Sequence, residues 1–159
     1  MILLYFQGYE NMPETIEHHI KETVIKAQPL FSQLTANEVK ILVDLLTIEK
    51  ATKGTVIVNE GDPVDSVYLI VEGKADVRTA ISPHNPQKTQ TVATLGPKDA
   101  IGLSESGFYS LSGSRTATVI ALTDMVLLRL SVPAFHGFVL SHTHVSDVMH
   151  KARGAESTK

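Results

Sequence analysis

The first part of the chain repeats its apolar positions at helical spacing. Residues 13–27 carry Ile, Val and Ala at intervals of three and four, with Glu and Lys between them, and Pro29 follows. This pattern predicts a helix over 13–27 that ends before the proline. Thr35 and Glu38 then stand three positions apart, ahead of a second apolar face. That spacing is typical of a capping box, in which each side chain bonds the other residue's backbone amide, and it predicts a helix over about 36–47.

From residue 54 onwards the apolar pattern changes to short β-rich runs separated by glycines. The runs are TVIVN, SVYLIV, KADVRTA, TVATL, RTATVIAL and MVLLRL. Short strands at near-regular spacing, with turn residues between them, predict an antiparallel sandwich or barrel. Residues 81–90, ISPHNPQKTQ, contain two prolines and show no apolar period. This segment is therefore predicted to be an exposed loop.

Ser131 and Pro133 open the last patterned segment, SVPAFHGFVLSHTHVSDVMHKARG. Serine is a favoured N-cap and proline fits the first helical turn, so we expect a helix to begin here. Its apolar positions fall on one stripe, formed by Phe135, Phe138, Val139, His142, Val145 and Met149. The pattern thus predicts two N-terminal helices, a β-rich middle and one long C-terminal helix, followed by a frayed polar tail.

The composition is that of an ordinary globular domain. Hydrophobic residues make up 43% and charged residues 19% of 159 residues, enough for one domain with a sizeable core. The formal net charge is −3 and no basic stripe occurs, so we expect no direct nucleic acid partner. The absence of cysteine excludes disulfides and thiolate catalysis and fits a cytoplasmic location. No apolar run has the length of a membrane helix, so we expect no membrane partner.

The N-terminal residues are treated separately from the fold. LYFQG, within residues 1–8, looks like the end of an engineered protease-cleavage tag, and residues 1–8 are therefore expected to be a tag remnant. A native tail is the alternative. Residues 9–153 are then expected to form one domain, with 154–159 as the polar tail.

Two chemically suggestive patterns do not lead to a site. GLSESG is similar to a nucleophile elbow, but Ser106 stands where that turn needs a second glycine. The seven histidines include no pair four residues apart, and His142 and His144 would point apart on a helix. We therefore expect neither a catalytic centre nor a metal site.

The order of elements and the placement of the glycines resemble the cyclic nucleotide-binding domain family over roughly residues 28–150. LFSQLTANEVKILVDLL is similar to the family's first helix, KGTVIVNEGDPVDSVYLIVEGKADV to its hairpins, and LGPKDAIG to the strand before its ligand site. Gly54, Gly61 and Gly73 match tight turns in which a Cβ would be costly. The family includes catabolite-activator-type regulators, kinase regulatory subunits and gated channels.

The resemblance implies a fold class and a ligand. The fold would be mainly β: an antiparallel double-stranded β-helix, or jelly-roll-like β-roll, with N-terminal helices and a C-terminal lid helix. The domain would be a non-catalytic sensor whose regulatory ligand is cAMP or cGMP, with no other cofactor. The final helix would close over the β-roll as a lid, or pair with a second copy in a homodimer. The base preference stays open.

The resemblance also assigns site residues. In the family, a Gly-Glu pair and a short helix precede a loop, an arginine and small residues. A helix N-terminus and an arginine fork suit a cyclic phosphate, and the glutamate accepts from the ribose hydroxyl. Carried over, Gly102 matches the glycine, Arg115 the phosphate arginine, and Thr116 and Ala117 the small pair.

The glutamate position is occupied by Leu103, which cannot accept a hydrogen bond. Losing a bond to a charged group costs roughly 1.5–3 kcal/mol. Ser104 belongs to the same ligand segment, and Glu105, two residues on, could reach inward if the short helix is shifted. His142 on the inner stripe of the last helix is the candidate base cap, with ordinary helix packing as its alternative.

Other interpretations of the same residues remain open. Arg115 could be a surface arginine paired with Glu105 or Asp99. Because of Leu103, the domain could be a degenerate relative that binds no nucleotide and serves as a dimerisation or docking module. GLSES is also similar to oxygen- and redox-responsive relatives, so another small ligand is a third hypothesis.

Overall fold

The computed structural model describes residues 12–104, 107–108 and 113–142. The predicted tag remnant, the polar tail, Glu105 and the predicted helical residues beyond His142 lie outside these ranges.

Two helices precede the β-roll. Helix α1 spans Glu14–Lys26 and helix α2 spans Ala36–Leu45, with a short 3-10 turn at Pro29–Phe31 between them. The predicted capping box is confirmed, because the Glu38 amide donates to Thr35 Oγ1 at 3.2 Å and the Thr35 amide donates to Glu38 Oε1 at 2.8 Å. Helix α2 ends two residues before the predicted boundary.

The strands form two antiparallel sheets and a small hairpin. Their bounds are β1 Thr47–Ala51, β2 Val56–Val58, β3 Ser66–Glu72, β4 Ala75–Ser82, β5 Asn85–Leu95, β6 Ala100–Ile101, β7 Leu103–Ser104, β8 Gly107–Phe108, β9 Thr118–Ala121 and β10 Met125–Ser131. The first sheet has the order β1-β10-β3-β6, the second β2-β9-β4-β5, and β7 pairs with β8. The predicted fold class, a mainly antiparallel β-roll with flanking helices, is confirmed.

The first sheet is buried on both faces. Leu69 of β3 and Leu128 of β10 pack in the cluster beneath the helices, whereas their neighbours Ile70 and Leu127 pack in the cluster on the opposite face, with residues of the second sheet. Since successive strand residues point to opposite faces, both faces need apolar side chains. This is why SVYLIV and MVLLRL are nearly continuous apolar runs.

The prediction of an exposed loop over residues 81–90 is wrong. Most of it belongs to the long hairpin of β4 and β5, in which Ala80 pairs with Thr89 and Ser82 pairs with Asn85. Strand β5 is the outer strand of its sheet among the described strands, and outer strands tolerate proline and polar residues. The hairpin therefore lacks the apolar alternation that the sequence argument required.

The predicted turn glycines and the start of the last helix agree with the structure. Gly54, Gly61 and Gly73 have φ angles of +90°, +90° and +95°, which L-residues rarely adopt. Helix α3 spans Val132–Ser141, and the Ala134 amide donates to Ser131 Oγ at 3.2 Å. No helix in the described ranges is both long and apolar enough to span a membrane.

Candidate ligand-binding site

A cavity of about 390 Å³ opens on the inner face of the second sheet. Valine, alanine and leucine side chains from β2, β4, β5 and β9 form most of its wall, and Ala100, Ile101 and Gly102 add to it from the first sheet and the following turn. Three of its described lining side chains can form hydrogen bonds: Thr79, Arg115 and Thr116. The site is thus an apolar pocket with few polar groups, as is usual for small-molecule sites.

Arg115 is buried at the cavity wall, with 7% of its surface exposed. Its Nη2 donates to the Ser66 carbonyl at 2.7 Å and lies 3.5 Å from Asp65 Oδ1. Its Nη1 is buried and has no hydrogen-bond partner among the described residues. Leaving a buried donor unpaired is costly, so this nitrogen is positioned for an acceptor that the described residues do not supply.

The interpretation of Arg115 as an exposed arginine paired with Asp99 is wrong. The side chain is buried, and Asp99 instead accepts from the Gly96 amide at 2.9 Å. The other suggested partner, Glu105, lies outside the described residues.

Backbone hydrogen bonds to the preceding turn hold Arg115 in place. The Arg115 amide donates to the Asp62 carbonyl at 2.7 Å, and the Arg115 carbonyl accepts from the Gly61 amide at 2.8 Å. Gly113, with a φ angle of +79°, provides the bend just before this contact. The EGDP turn therefore serves as a support for the arginine, a role that the sequence pattern did not indicate.

Gly102 is required for two separate reasons. Its φ angle is +84°, and a Cβ built on it would lie 2.8 Å from Arg115 Nη1. A larger residue would therefore be strained and would also displace the guanidinium. Gly102 and Arg115, two of the site residues expected from the sequence, therefore lie side by side.

Thr116 and Ala117 also line the cavity, immediately before β9. Thr116 is exposed and Ala117 is half-buried. The structure thus brings together four of the predicted site residues, Gly102, Arg115, Thr116 and Ala117, on one side of the pocket.

Leu103 faces away from this pocket. It is 5% exposed and belongs to the cluster beneath the helices, and it pairs with Phe108 in the β7–β8 hairpin. Gly102 lines the cavity, and its neighbour Leu103 points to the opposite face. The placement of Leu103 as a ligand contact is therefore corrected to a core position. Ser104 pairs with Gly107 through the backbone, and Glu105 lies outside the described residues.

His142 also lies apart from the cavity lining. It is the C-cap of α3, and its Nδ1 lies 2.9 Å from the Phe138 carbonyl of the same helix. The imidazole packs on the Phe138 ring, with 4.9 Å between centroids. In the described structure His142 thus takes part in helix packing, which was the alternative, and its role as a base cap stays a prediction.

The charge of Arg115 is only weakly compensated. Asp65 is the acidic partner within 4 Å in the described chain, and its side chain is 72% exposed. It also lies 3.7 Å from Arg129 Nη2, so two arginines share one carboxylate. Exposed pairs contribute little, and this end of the cavity therefore favours an anion. No group of three metal-binding side chains was found in the described ranges.

These features define a class of protein, a β-roll with an apolar pocket and a buried arginine, Arg115, at its wall. The family model for the cyclic nucleotide-binding domain matches residues 48–142. The chain belongs to the cyclic nucleotide-binding domain family, and the resemblance expected from the sequence is confirmed.

Two curated relatives illustrate the range of the family. The Pycsar effector protein XpPycTIR of Xanthomonas perforans is 31% identical over 106 residues, which is 65% of this chain and 32% of that protein. The cAMP-dependent protein kinase regulatory subunit of Colletotrichum orbiculare is 30% identical over 114 residues, 72% of this chain and 27% of that protein. The chain therefore spans about a third or less of these two relatives.

A solved structure supports the same fold over most of the chain. The N-terminal domain of a transcriptional regulator from Streptomyces coelicolor A3(2) superimposes with a TM-score of 0.72 at 26% identity. The match covers 85% of this chain and 90% of that domain.

Proposed function

We propose that this domain is a non-catalytic sensor that binds a 3′,5′-cyclic nucleotide, cAMP or cGMP, in the β-roll cavity. The observation that carries the proposal is the buried Arg115, whose Nη1 has no partner among the described residues and lies beside Gly102 at the cavity wall. A phosphate oxygen is the acceptor that this donor lacks.

The charge and the shape of the site both suit a cyclic phosphate. Such a diester carries a single negative charge, which one guanidinium balances without further cations. Arg115 contributes that charge with little competition, because the nearby Asp65 side chain is largely exposed to water. The apolar wall, which includes Val58, Val77 and Val119, fits the sugar and the base of a nucleotide.

A chain of contacts links the cavity to the last helix. Arg115 Nη2 donates to the Ser66 carbonyl at 2.7 Å, and the neighbouring Asp65 carbonyl accepts from the Val132 amide at 2.9 Å, at the first residue of α3. A ligand that shifts Arg115 would therefore bias the start of α3. This supports reporting through the last helix, to the extent that the ligand binds its two positions differently.

A docking or dimerisation module is the second candidate, and Leu103 is the observation that favours it. Leucine at this position offers no acceptor for a ribose hydroxyl, and its side chain is in the core. A homodimer through α3 and a cytoplasmic location remain predictions from the sequence.

The test is calorimetric titration of the chain with cAMP and cGMP, in the wild type and in Arg115→Ala and Arg115→Lys. We expect binding by the wild type, and an affinity that is about tenfold to a hundredfold lower in both variants. Alanine removes the guanidinium, and lysine keeps the charge but not the planar fork. Arg129→Ala is the matched control, since Arg129 shares Asp65 but does not line the cavity; it should bind normally.

Thermal unfolding of each variant separates lost binding from lost folding. If the folded wild type shows no binding up to millimolar ligand, the sensor proposal is overturned in favour of a docking module. Sedimentation at increasing protein concentration would then be expected to show self-association.

A further inference from the structure

We infer that Thr79 determines which base the domain selects, through a hydrogen bond from its hydroxyl to the polar edge of the base. This inference rests on the proposed function and extends it from the phosphate to the opposite part of the ligand.

Thr79 places a hydroxyl-bearing side chain at the wall of the cavity. This hydroxyl makes no hydrogen bond to another described residue. Two other threonines on the same hairpin differ: Thr89 and Thr91 both accept from Arg78, at 2.8 and 2.9 Å, on the other face of the sheet. The outer threonines thus support the hairpin, whereas the inner one presents a free donor and acceptor to the pocket.

The strand register separates Thr79 from the phosphate end. Arg78 of β4 pairs with Thr118 of β9, so Thr79 follows at the level of Ala117, one strand away from the segment that carries Arg115. Arg115 stands two residues before Ala117, in the segment that leads into β9. In a cyclic nucleotide the ribose is fused to the phosphate ring and stays beside the arginine. The base projects away from the phosphate, and we place it beside Thr79, the hydrogen-bonding side chain of the described lining that lies on β4, apart from the Arg115–Thr116 segment.

Apolar side chains surround Thr79 and suit the faces of a base. The register of β4 and β5 shifts between Val77 and Arg78, which leaves Val92 as an extra residue on β5. Such bulges redirect side chains, and Val92 lines the cavity although it is 54% exposed. Val77, Val92 and Ala93 can therefore contact the flat base, while Thr79 is the hydrogen-bonding side chain near them.

The experiment compares Thr79→Val with the wild type by calorimetry, using the four cyclic monophosphates of adenosine, guanosine, cytidine and uridine. Valine keeps the shape and the strand preference of threonine, so folding should be retained. We expect the wild type to prefer one base. The Thr79→Val variant should bind that ligand with about three- to tenfold lower affinity, and its affinity for the other ligands should hardly change. Thr47→Val, an exposed threonine of β1 outside the cavity lining, is the matched control and should keep the wild-type preference.

The 2′-deoxy form of the preferred ligand distinguishes a contact to the base from one to the ribose. If Thr79 bonds to the base, removal of the 2′-hydroxyl lowers the affinity of the wild type and of Thr79→Val by the same factor. If Thr79→Val binds the ligand and its 2′-deoxy form with equal affinity, or if that variant keeps the full base preference, the inference is overturned while the sensor function stands. A wild type that binds none of the four ligands overturns both.

Discussion

At the scale of single residues, the sequence placed Arg115 at the cavity but did not predict the direction of the Leu103 side chain. Arg115 and Gly102, both assigned to the ligand site from the resemblance, lie side by side at the cavity wall. Leu103 was placed on the ligand because it follows Gly102, but the alternation of a strand turns it into the core. Thr79 and the supporting carbonyl of Ser66 carry no sequence signal, since one is a common strand residue and the other acts through its backbone.

Lys98 is strained in a way that the sequence did not indicate. Among the described residues it is the non-glycine residue with a positive φ angle, +76°. The fold holds it there, because its amide donates to the Ile70 carbonyl at 3.0 Å and its carbonyl accepts from buried Gln28 Nε2 at 2.7 Å. An L-residue in this conformation costs about 1–2 kcal/mol.

We predict that Lys98→Gly stabilises the domain. The relief of strain exceeds the extra chain entropy of glycine, about 0.5–1 kcal/mol, so the free energy of unfolding should rise by about 0.5–1 kcal/mol in urea denaturation. Lys88→Gly is the matched control: Lys88 is an exposed strand residue without a positive φ angle, and its replacement should lower the stability. Equal effects in the two variants would contradict the strain at Lys98.

At the scale of elements, prediction succeeded where one face of an element is buried. The capping box and the apolar faces defined α1 and α2, and the N-cap at Ser131 defined α3. Strand β1 was missed because its polar residues continue the helical pattern of α2. The β4–β5 hairpin was missed over residues 81–90 because its exposed part satisfies backbone hydrogen bonds and needs no apolar period.

The same hairpin contains an ion pair that should make its stability depend on pH. Arg78 Nη1 donates to Asp76 Oδ2 at 2.9 Å, and this hydrogen bond lowers the pKa of Asp76 below its ordinary value. A carboxyl whose pKa is lower in the folded state stabilises the fold above the unfolded pKa. That contribution is lost as the pH falls through the folded pKa.

We therefore predict that Asp76→Asn lowers the free energy of unfolding at pH 7, and that the difference from the wild type shrinks as the pH falls below about 4. Urea denaturation at pH 7, 4 and 3 measures it. Asp44→Asn, which removes an exposed carboxylate of α2, controls for the loss of one negative charge. A difference that stays constant down to pH 3 would show that the pair adds no pH-dependent stability.

At the scale of the whole molecule, the fold joins the ligand cavity to the helix that would report its occupation. The first sheet lies between them. Its β3 strand supplies Ser66, whose carbonyl accepts from Arg115 and which also pairs with Ser131 at the start of α3. Helix α3 in turn packs on the N-terminal helical layer, with the Phe135 and Phe31 rings 5.9 Å apart. The sequence predicted the elements on this path, but only the register shows that they meet.

We predict that a bound cyclic nucleotide slows amide hydrogen exchange in α3, Val132–Ser141, because the ligand fixes Arg115 and thereby the Asp65 carbonyl that accepts from the Val132 amide. A coupling of the usual size would slow exchange there roughly five- to 150-fold. Exchange measured by mass spectrometry, with and without ligand, tests this, and the first turns of α1 provide an internal reference. Arg115→Lys at a ligand concentration that saturates it should show less protection of α3 than the wild type, because the fork that bridges the ligand and Ser66 is missing. Protection confined to the strands that line the cavity would mean that the domain binds its ligand without engaging the last helix, and any signal would then have to leave through the β4–β5 hairpin or another surface.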